Sequence, residues 1–324
     1  MRTLLLALTT WLLAAACAET TPEPAPAPTT TATVIELPRL LSVASFNVRY
    51  GTADDGEDRW ELREELVLAE AERLTPGVLA VQEALDFQVD ALLERLPRLT
   101  KIGQHREGGT RGEFSGLLVD QTVFEVEASG DLWLSETPDE VGSVGWDAAL
   151  TRSATWVRLA DRTTPLRFVA IGTHFDHRGE RARLESARLL ARELERLCRE
   201  GAGPDGRPLP GLLLGDLNAG EDSAPLAALG EAGLVDTFRV VHPDAVDVGT
   251  FNGFADRSDG AKIDFVLATD GWQVHDAGIS RPRGPVETSD VEDPSDEDDT
   301  AVGRCASDHD VPWAVLSQPL GGGR

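Results

Sequence analysis

Short apolar runs alternate with longer helical patterns from Leu40 onward, and the period of each run predicts its element. Strands are expected at Leu40 to Val48, Val78 to Glu83, Phe114 to Asp120, Val126 to Leu134, Ser153 to Leu159, Leu166 to Phe175, Gly211 to Leu217, Lys262 to Ala268 and Trp272 to Ile279. Between them Trp60 to Leu74, Asp86 to Leu96, Glu180 to Glu200 and Ala224 to Ala232 repeat apolar positions at helical spacing, with Glu and Arg on the implied wet faces. No internal repeat is visible. This count of strands and helices implies an α/β chain of two sheets packed face to face and covered by helices.

The ends do not share the pattern. Arg2 precedes an apolar run from Leu4 to Ala16, too short to span a bilayer, and small residues lead to Cys17, the layout of a bacterial export signal. "LAAAC" resembles a lipoprotein processing site with Cys17 as the lipidated residue. Ala14 stands where that motif carries Leu, so plain cleavage after Ala16 or Ala18 is the alternative. The expected organisation is a signal over 1–17, a Pro/Thr/Ala-rich tether over 18–37, a catalytic domain over 38–318 and a short disordered tail over 319–324. The protein is therefore expected outside the cytoplasm, lipid-anchored in the bacterial cell envelope. Within the domain, "ETSDVEDPSDEDD" has no apolar content to bury and reads as an acidic loop over 287–300. Beyond Cys17, Cys198 and Cys305 either pair in an oxidising compartment or stay as buried thiols.

Charge narrows the partners. The chain holds 56 acidic against 30 basic residues, a formal net charge of -26, so its mean field repels nucleic acid and anionic lipid surfaces. Nucleic acid is disfavoured as a substrate, although Arg106 and Arg111 leave room for a local basic patch. Contact with a membrane is expected only through the lipid anchor.

The predicted strands end in an unusual way. Asn47, Glu83, His174, Asp176, Asp216, Asn218, Asp264, Asp308 and His309 all stand in or at the ends of apolar segments. Each has a structural explanation when taken alone: a strand-end hydrogen bond, a carboxylate at a helix N-terminus, an Asx turn. Asp264 is the exception, because an aspartate between Ile263 and Phe265 is buried and needs a partner. If the strand ends share one rim, that rim is a carboxylate-rich cleft, and its oxygen donors suit Mg²⁺, Mn²⁺ or Ca²⁺ better than Zn²⁺.

The ordered set "FNVRYG", "VQE", "THFDH", "GDLN", "TFNGF", "KIDF" and "SDHD" resembles the endonuclease/exonuclease/phosphatase superfamily over roughly Leu40 to Leu316. "RYGTADDGEDRW", "WLSETPD" and "GWDAAL" further resemble a bacterial subgroup of exported phosphohydrolases. The resemblance implies a deoxyribonuclease I-like four-layer sandwich, two mixed β-sheets flanked by helices, and a metal-dependent phosphoric ester hydrolase. It implies that Asn47, Glu83 and Asp308 hold the metal, and that Asp216 and Asn218 orient the attacking water and the scissile phosphate. His309, held by Asp264, would act as general base or polarise a phosphate oxygen; His174 would bind phosphate as an imidazolium, paired with Glu113 of "RGEFSG".

Two residues are candidates for substrate contact, Arg152 of "LTRSATW" and Asn252 of "TFNGF". For Arg152, an exposed arginine in a surface salt bridge is the alternative. A small phosphorylated substrate fits the acidic chain and its low aromatic content, 6%. An exported nuclease of the same fold and a surface lipoprotein that binds without turnover are the competing readings.

Overall fold

The computed structural model describes residues 38–284 and 303–319. The export signal with Cys17, the tether, the acidic loop over 287–300 and the tail from residue 320 lie outside the described residues. The elements run β1 (Leu41–Asn47), α1 (Trp60–Leu74), β2 (Val78–Ala84), α2 (Asp86–Arg95), β3 (Leu99–Ile102), β4 (Phe114–Asp120), β5 (Phe124–Trp133), β6 (Ser153–Asp161) and β7 (Arg167–His174). They continue as α3 (Glu180–Glu200), β8 (Gly211–Asp216), α4 (Ala224–Glu231), β9 (Val235–Asp236), α5 (Thr237–Val241), β10 (Asp264–Ala268), β11 (Gln273–Ser280) and β12 (Val311–Ser317).

Two six-stranded sheets result, ordered β11-β12-β1-β2-β4-β3 and β5-β6-β7-β8-β10-β9. Each is mixed: β1 and β2 pair in parallel in the first, β7 and β8 in the second. The strands alternate between two apolar surroundings, as a period of two requires. In the first sheet Leu41, Val43, Val78, Ala80, Leu117 and Val119 meet Val157, Leu159, Phe168, Leu212, Leu214 and Val266 of the second, forming the layer between the sheets. The intervening residues face outward. Ala44, Phe46, Leu79, Val81 and Leu118 pack under α1 and α2, while Ile171, Leu213, Phe265 and Leu267 pack under α3. The architecture is the expected four-layer sandwich. Burial on both faces also explains why these strands read as nearly unbroken apolar runs.

Among the described residues no helix is long and apolar enough to cross a membrane. Cys198 and Cys305 are both free and buried, which decides against their pairing. Burial pushes their thiols up, to about 12 and about 11.

Three strands and one short helix escape the sequence pattern. β9 has two residues and β3 four, too few for a period to register, and α5 has five. β12 is longer, but Pro312 near its start argues against a strand. Its pairing with β1 begins only at Trp313, so Pro312 has a ladder neighbour on the β11 side alone.

Candidate active site

The strand period delivers the polar side chains to one place. On β8, Leu212 and Leu214 face the opposite sheet, so Asp216 faces the same way; Asp264 follows Val266 and Ala268 on β10, and His174 follows Ala170 on β7. Registry then aligns them. Asp216 lies opposite both His174 and Asp264 in the pairings of β8 with its two neighbours, so the three stand side by side across the second sheet. Asn47 has the same parity as Leu41 and Val43 on β1 and faces them from the first sheet. The site is thus the polar end of the layer between the sheets.

Glu83 reaches it by a different route. Its parity on β2 is that of Leu79 and Val81, which face the helices, yet the register with β4 shifts between Val81 and Ala84 and Glu83 takes a left-handed φ of 62°. The irregularity turns its carboxylate into the cleft, a common use of a bulge. Left-handed backbone is costly for a residue with a side chain, and here the strain sits at a functional position, as it does at Asn218, φ 46°.

Asp216 is the centre of the network. Its Oδ2 accepts from Asn47 Nδ2 at 3.0 Å and lies 3.4 Å from His174 Nε2 and 3.8 Å from His309 Nε2. Its Oδ1 accepts from the Asn218 backbone N–H at 2.8 Å. Burial and the facing Asp264 carboxylate raise its pKa, because two buried like charges oppose each other's ionisation. His309 answers both. It enters from the loop before β12, where Ser307 Oγ donates to Asn47 O at 2.7 Å and Asp310 N donates to Thr250 O at 2.7 Å. Its Nδ1 bonds Asp264 Oδ2 at 2.8 Å.

Burial pushes the His309 ring toward neutrality, but Asp264 and Asp216 outweigh it and hold the pKa well above 6.5. Either expected role, general base or polariser of a phosphate oxygen, would fall on its Nε2, 3.8 Å from Asp216 Oδ2. His174 behaves in the opposite way. Complete burial, and next the positive charge of Arg152, push its pKa well below 6.5, which works against the imidazolium expected there. Its Nε2 stands 3.0 Å from Asn218 Nδ2, while its buried Nδ1 has no partner among the described residues.

Glu113 does not supply that partner. Its carboxylate accepts from Arg106 Nη1 at 2.6 Å, so the expected pairing with His174 is replaced by an ion pair. Asn252 also departs from expectation. Its Nδ2 donates to Asp310 Oδ1 at 3.0 Å and its Oδ1 accepts from Phe254 N at 2.8 Å, which makes it a brace for the loop behind His309 rather than a substrate contact. Arg152, for which an exposed salt bridge was the alternative, is only 5% exposed. Its Nη2 lies 3.2 Å from His177 Nδ1, while its Nε and Nη1 are buried without hydrogen-bond partners among the described residues. Asp176 is taken up by its own loop, accepting from the Arg178, Gly179 and Leu150 N–H groups; despite burial, these hold its carboxyl down to about 2.

Two carboxylates, Glu83 and Asp216, meet at the Asn47 amide, and Asp308 stands 3.9 Å from Arg49. Asn47 Nδ2 donates to Glu83 Oε1 at 3.0 Å as well as to Asp216, and its Oδ1 accepts from Arg49 N at 3.0 Å. It therefore turns nitrogen, not the oxygen expected of a ligand, toward the carboxylates. Burial and the charge of Glu83 both raise Asp308. Glu83, His174 and Asp216 each offer a donor atom within 4.8 Å of the others. Crowded, partly buried carboxylates of this kind fit a hard divalent cation, which would relieve their mutual repulsion.

Two arginines next to the site carry no sequence signal of their own. Arg49 forms a bidentate contact with Asp55, at 3.0 and 2.7 Å, and lies 3.9 Å from Asp308. Arg63 is fully buried and donates to the carbonyls of Val48, Ala306, Asp58 and Arg49. In an Arg-rich acidic chain both read as solvated surface charge. Arg111, half of the suspected basic patch, is exposed and donates to Glu107 O.

The profile of the Endonuclease/Exonuclease/phosphatase family matches residues 44–309. Among solved structures, an endonuclease/exonuclease/phosphatase family protein from Bacteroides thetaiotaomicron is 29% identical, covering 88% of this chain and 100% of its own, with a TM-score of 0.74. A mannosyl-6-phosphatase from the same organism is also 29% identical, covering 85% of this chain and 99% of its own, with a TM-score of 0.73. The catalytic domain of human Nocturnin, with bound sulfate, shares the fold at 17% identity and a TM-score of 0.62, over 88% of this chain and 97% of its own. No curated protein matches the chain.

Proposed function

Because the chain belongs to the endonuclease/exonuclease/phosphatase family, whose members hydrolyse phosphate esters with divalent metals, we propose that it is a phosphohydrolase acting on a small phosphorylated substrate outside the cytoplasm. The observation that carries this reading is the convergence on Asp216 Oδ2 of Asn47, His174 and His309, drawn from both sheets. Such a constellation has one carboxylate to take a proton from water and several donors for phosphate oxygens.

Glu83 and Asp308 would hold the metal, Mg²⁺ or its relatives Mn²⁺ and Ca²⁺, with the Asn47 oxygen reaching it once the amide turns. When bound, the metal neutralises charge on the phosphate. The side chains divide the remaining work. Asp216 accepts a proton from the water that attacks phosphorus, while the P–O bond to the alcohol breaks in line and the departing alkoxide takes a proton from solvent. His309, held by Asp264, donates to a non-bridging oxygen, while the Asn218 Nδ2 protons go to His174 Nε2 and Phe175 O, so a phosphate contact there requires that amide to turn. The Nε and Nη1 groups of Arg152, with no hydrogen bond among the described residues and the Asp176 carboxylate 3.7 Å from Nε, suit a further phosphate oxygen.

A net charge of -26 supports a small substrate over a polyanion, and so does the likeness to a mannosyl-6-phosphatase. Export, with anchoring through Cys17, rests on the N-terminal pattern alone. The test is hydrolysis of a chromogenic phosphomonoester and the matching diester by the chain from residue 38 onward, with each metal and with a chelator. Metal-dependent cleavage of either is expected. Turnover unaffected by chelation, or none with metal bound, would count against the reading.

A further inference from the structure

Asp308 and His309 stand on a short loop that is tied down from both sides. Before them, Ser307 Oγ donates to Asn47 O at 2.7 Å and Arg63 Nη1 donates to Ala306 O at 3.1 Å. After them comes Asp310, a fully buried carboxylate that no step of the proposed reaction uses.

The contacts of Asp310 join the loop to two other segments. Its Oδ1 accepts from Asn252 Nδ2 and from Arg283 Nη1, each at 3.0 Å, and its Oδ2 pairs with Arg281 Nη1. Both arginines follow the end of β11 at Ser280, and Arg281 Nη1 also donates to Gly249 O at 3.0 Å. The link through Asn252 returns to the loop. The Asn252 and Gly253 N–H groups donate to Asp308 O at 2.8 and 3.1 Å, Asp310 N donates to Thr250 O at 2.7 Å, and Phe251 and His309 pair as an antiparallel bridge. The carboxylate thus closes a ring of hydrogen bonds around the peptide units of Asp308 and His309. Thr250 extends the ring to Asp264, whose N–H its Oγ1 accepts at 3.0 Å.

Two guanidiniums and an amide on one sealed carboxylate are a costly route to stability, because burying such charges commonly gains nothing over apolar packing. What the arrangement does fix is geometry. We propose that Asp310 is a positioning residue for phosphate-ester hydrolysis: through Asn252 and Thr250 it holds the Asp308 carboxylate where the metal binds and the His309 ring against Asp264. Asp310 itself touches neither substrate nor metal. An amide at this position accepts through one oxygen only and turns an N–H toward a guanidinium, so Asp310→Asn loosens the ring while the two sheets remain packed. The inference rests on the phosphohydrolase reading and adds to it the residue on which the loop's geometry depends.

The experiment separates positioning from mere stability. Asp310→Asn, shown to be folded by near-ultraviolet circular dichroism, is expected to bind Mn²⁺ at least about tenfold more weakly in titration calorimetry, the usual cost of removing support from a metal ligand. Its kcat for a chromogenic phosphate ester is expected to fall by at least about tenfold as well. Asp161→Asn is the control. Asp161 is another buried aspartate, clamped by Arg39 Nε at 2.7 Å and by the Thr163 and Thr164 N–H groups at 2.8 Å, at the end of β6 remote from His174. Its loss should lower the urea midpoint and leave Mn²⁺ affinity and kcat within about twofold. Asn252→Ala keeps the ion pairs and cuts the link to Asp308, so it should show both losses in smaller measure, and it decides the matter if Asp310→Asn does not fold. Wild-type Mn²⁺ affinity and kcat in Asn252→Ala or in folded Asp310→Asn would overturn the proposal. An Asp161→Asn that lost both would do the same, since instability alone would then suffice. If the wild type cleaves no ester yet Mn²⁺ binding weakens in both loop variants, the hydrolase fails and the positioning of Asp308 stands. If wild type and loop variants cleave esters equally well, the positioning fails and the hydrolase stands.

Discussion

His309 Nδ1 and Asp264 Oδ2 are 2.8 Å apart, both residues at least 95% buried, and their pairing sets the charge of the ring that faces Asp216. Thr250 Oγ1 fixes the strand end beneath them by accepting from the Ile263 and Asp264 N–H groups at 2.9 and 3.0 Å. Phe251 shields one side of the imidazole edge-on, with ring centroids 5.2 Å apart.

Asp264→Asn keeps the shape and removes the charge, so kcat is expected to fall at least about a hundredfold, the usual size of an electrostatic contribution of this kind. The pH response carries a sign. The pKa of His309 is raised above 6.5 in the folded protein, so its stabilising contribution is complete below about pH 6.5 and is lost as pH rises through the folded value. The stability gap between wild type and Asp264→Asn, measured by urea denaturation, should therefore be widest in mild acid and narrow toward alkaline pH. A gap that widened with pH would contradict the assignment of charge.

Glu83→Gln is expected to weaken Mn²⁺ binding by at least about tenfold while the fold persists, because a neutral amide cannot replace a carboxylate in a hard-cation site. Titration calorimetry with the metal alone reads this without any substrate. Unchanged affinity would move the metal away from Glu83.

Arg152→Lys retains a cation and discards the planar fork. If the unpartnered Nε and Nη1 groups take a phosphate oxygen, KM for a simple phosphate ester should rise roughly tenfold, with metal affinity unaltered. An unchanged KM would return Arg152 to a structural role beside Asp176, 3.7 Å away.

Arg63→Leu tests an interior brace. The guanidinium ties Val48 O, just after β1, to Ala306 O, two residues before Asp308, at 2.6 and 3.1 Å. Leucine leaves those carbonyls unpaired in the interior, and a loss on the order of 3 kcal/mol in urea denaturation is expected. A near-neutral change would mean that water reaches the carbonyls.

Strand parity and a handful of polar interruptions made most of the architecture and the inner ring of the site readable from the sequence. Asp264 announced itself by standing among Ile263, Phe265 and Val266, and α1 and α3 were legible to their last residues because a long amphipathic period leaves few alternatives. What was hidden depends on the third dimension. Nothing local distinguishes buried Arg63 from exposed Arg59, and Glu113 is drawn to Arg106 by proximity across a loop that the sequence does not measure. The opposite pKa directions of His174 and His309 are equally invisible beforehand. Burial pushes both rings toward neutrality, but Arg152 adds to that push at His174 while Asp264 and Asp216 reverse it at His309.

The layer between the sheets does more than stabilise the sandwich. Asn47 and Glu83 belong to one sheet, His174, Asp216 and Asp264 to the other, so neither sheet alone contains an active site. Catalytic competence becomes a measure of how well two slabs are registered against each other. A partly loosened state that kept its hydrogen-bonded ladders but let the slabs slide by an ångström or so would retain its far-ultraviolet circular dichroism and lose turnover, since reacting groups tolerate little misplacement. During gentle denaturation, activity should vanish before secondary structure does.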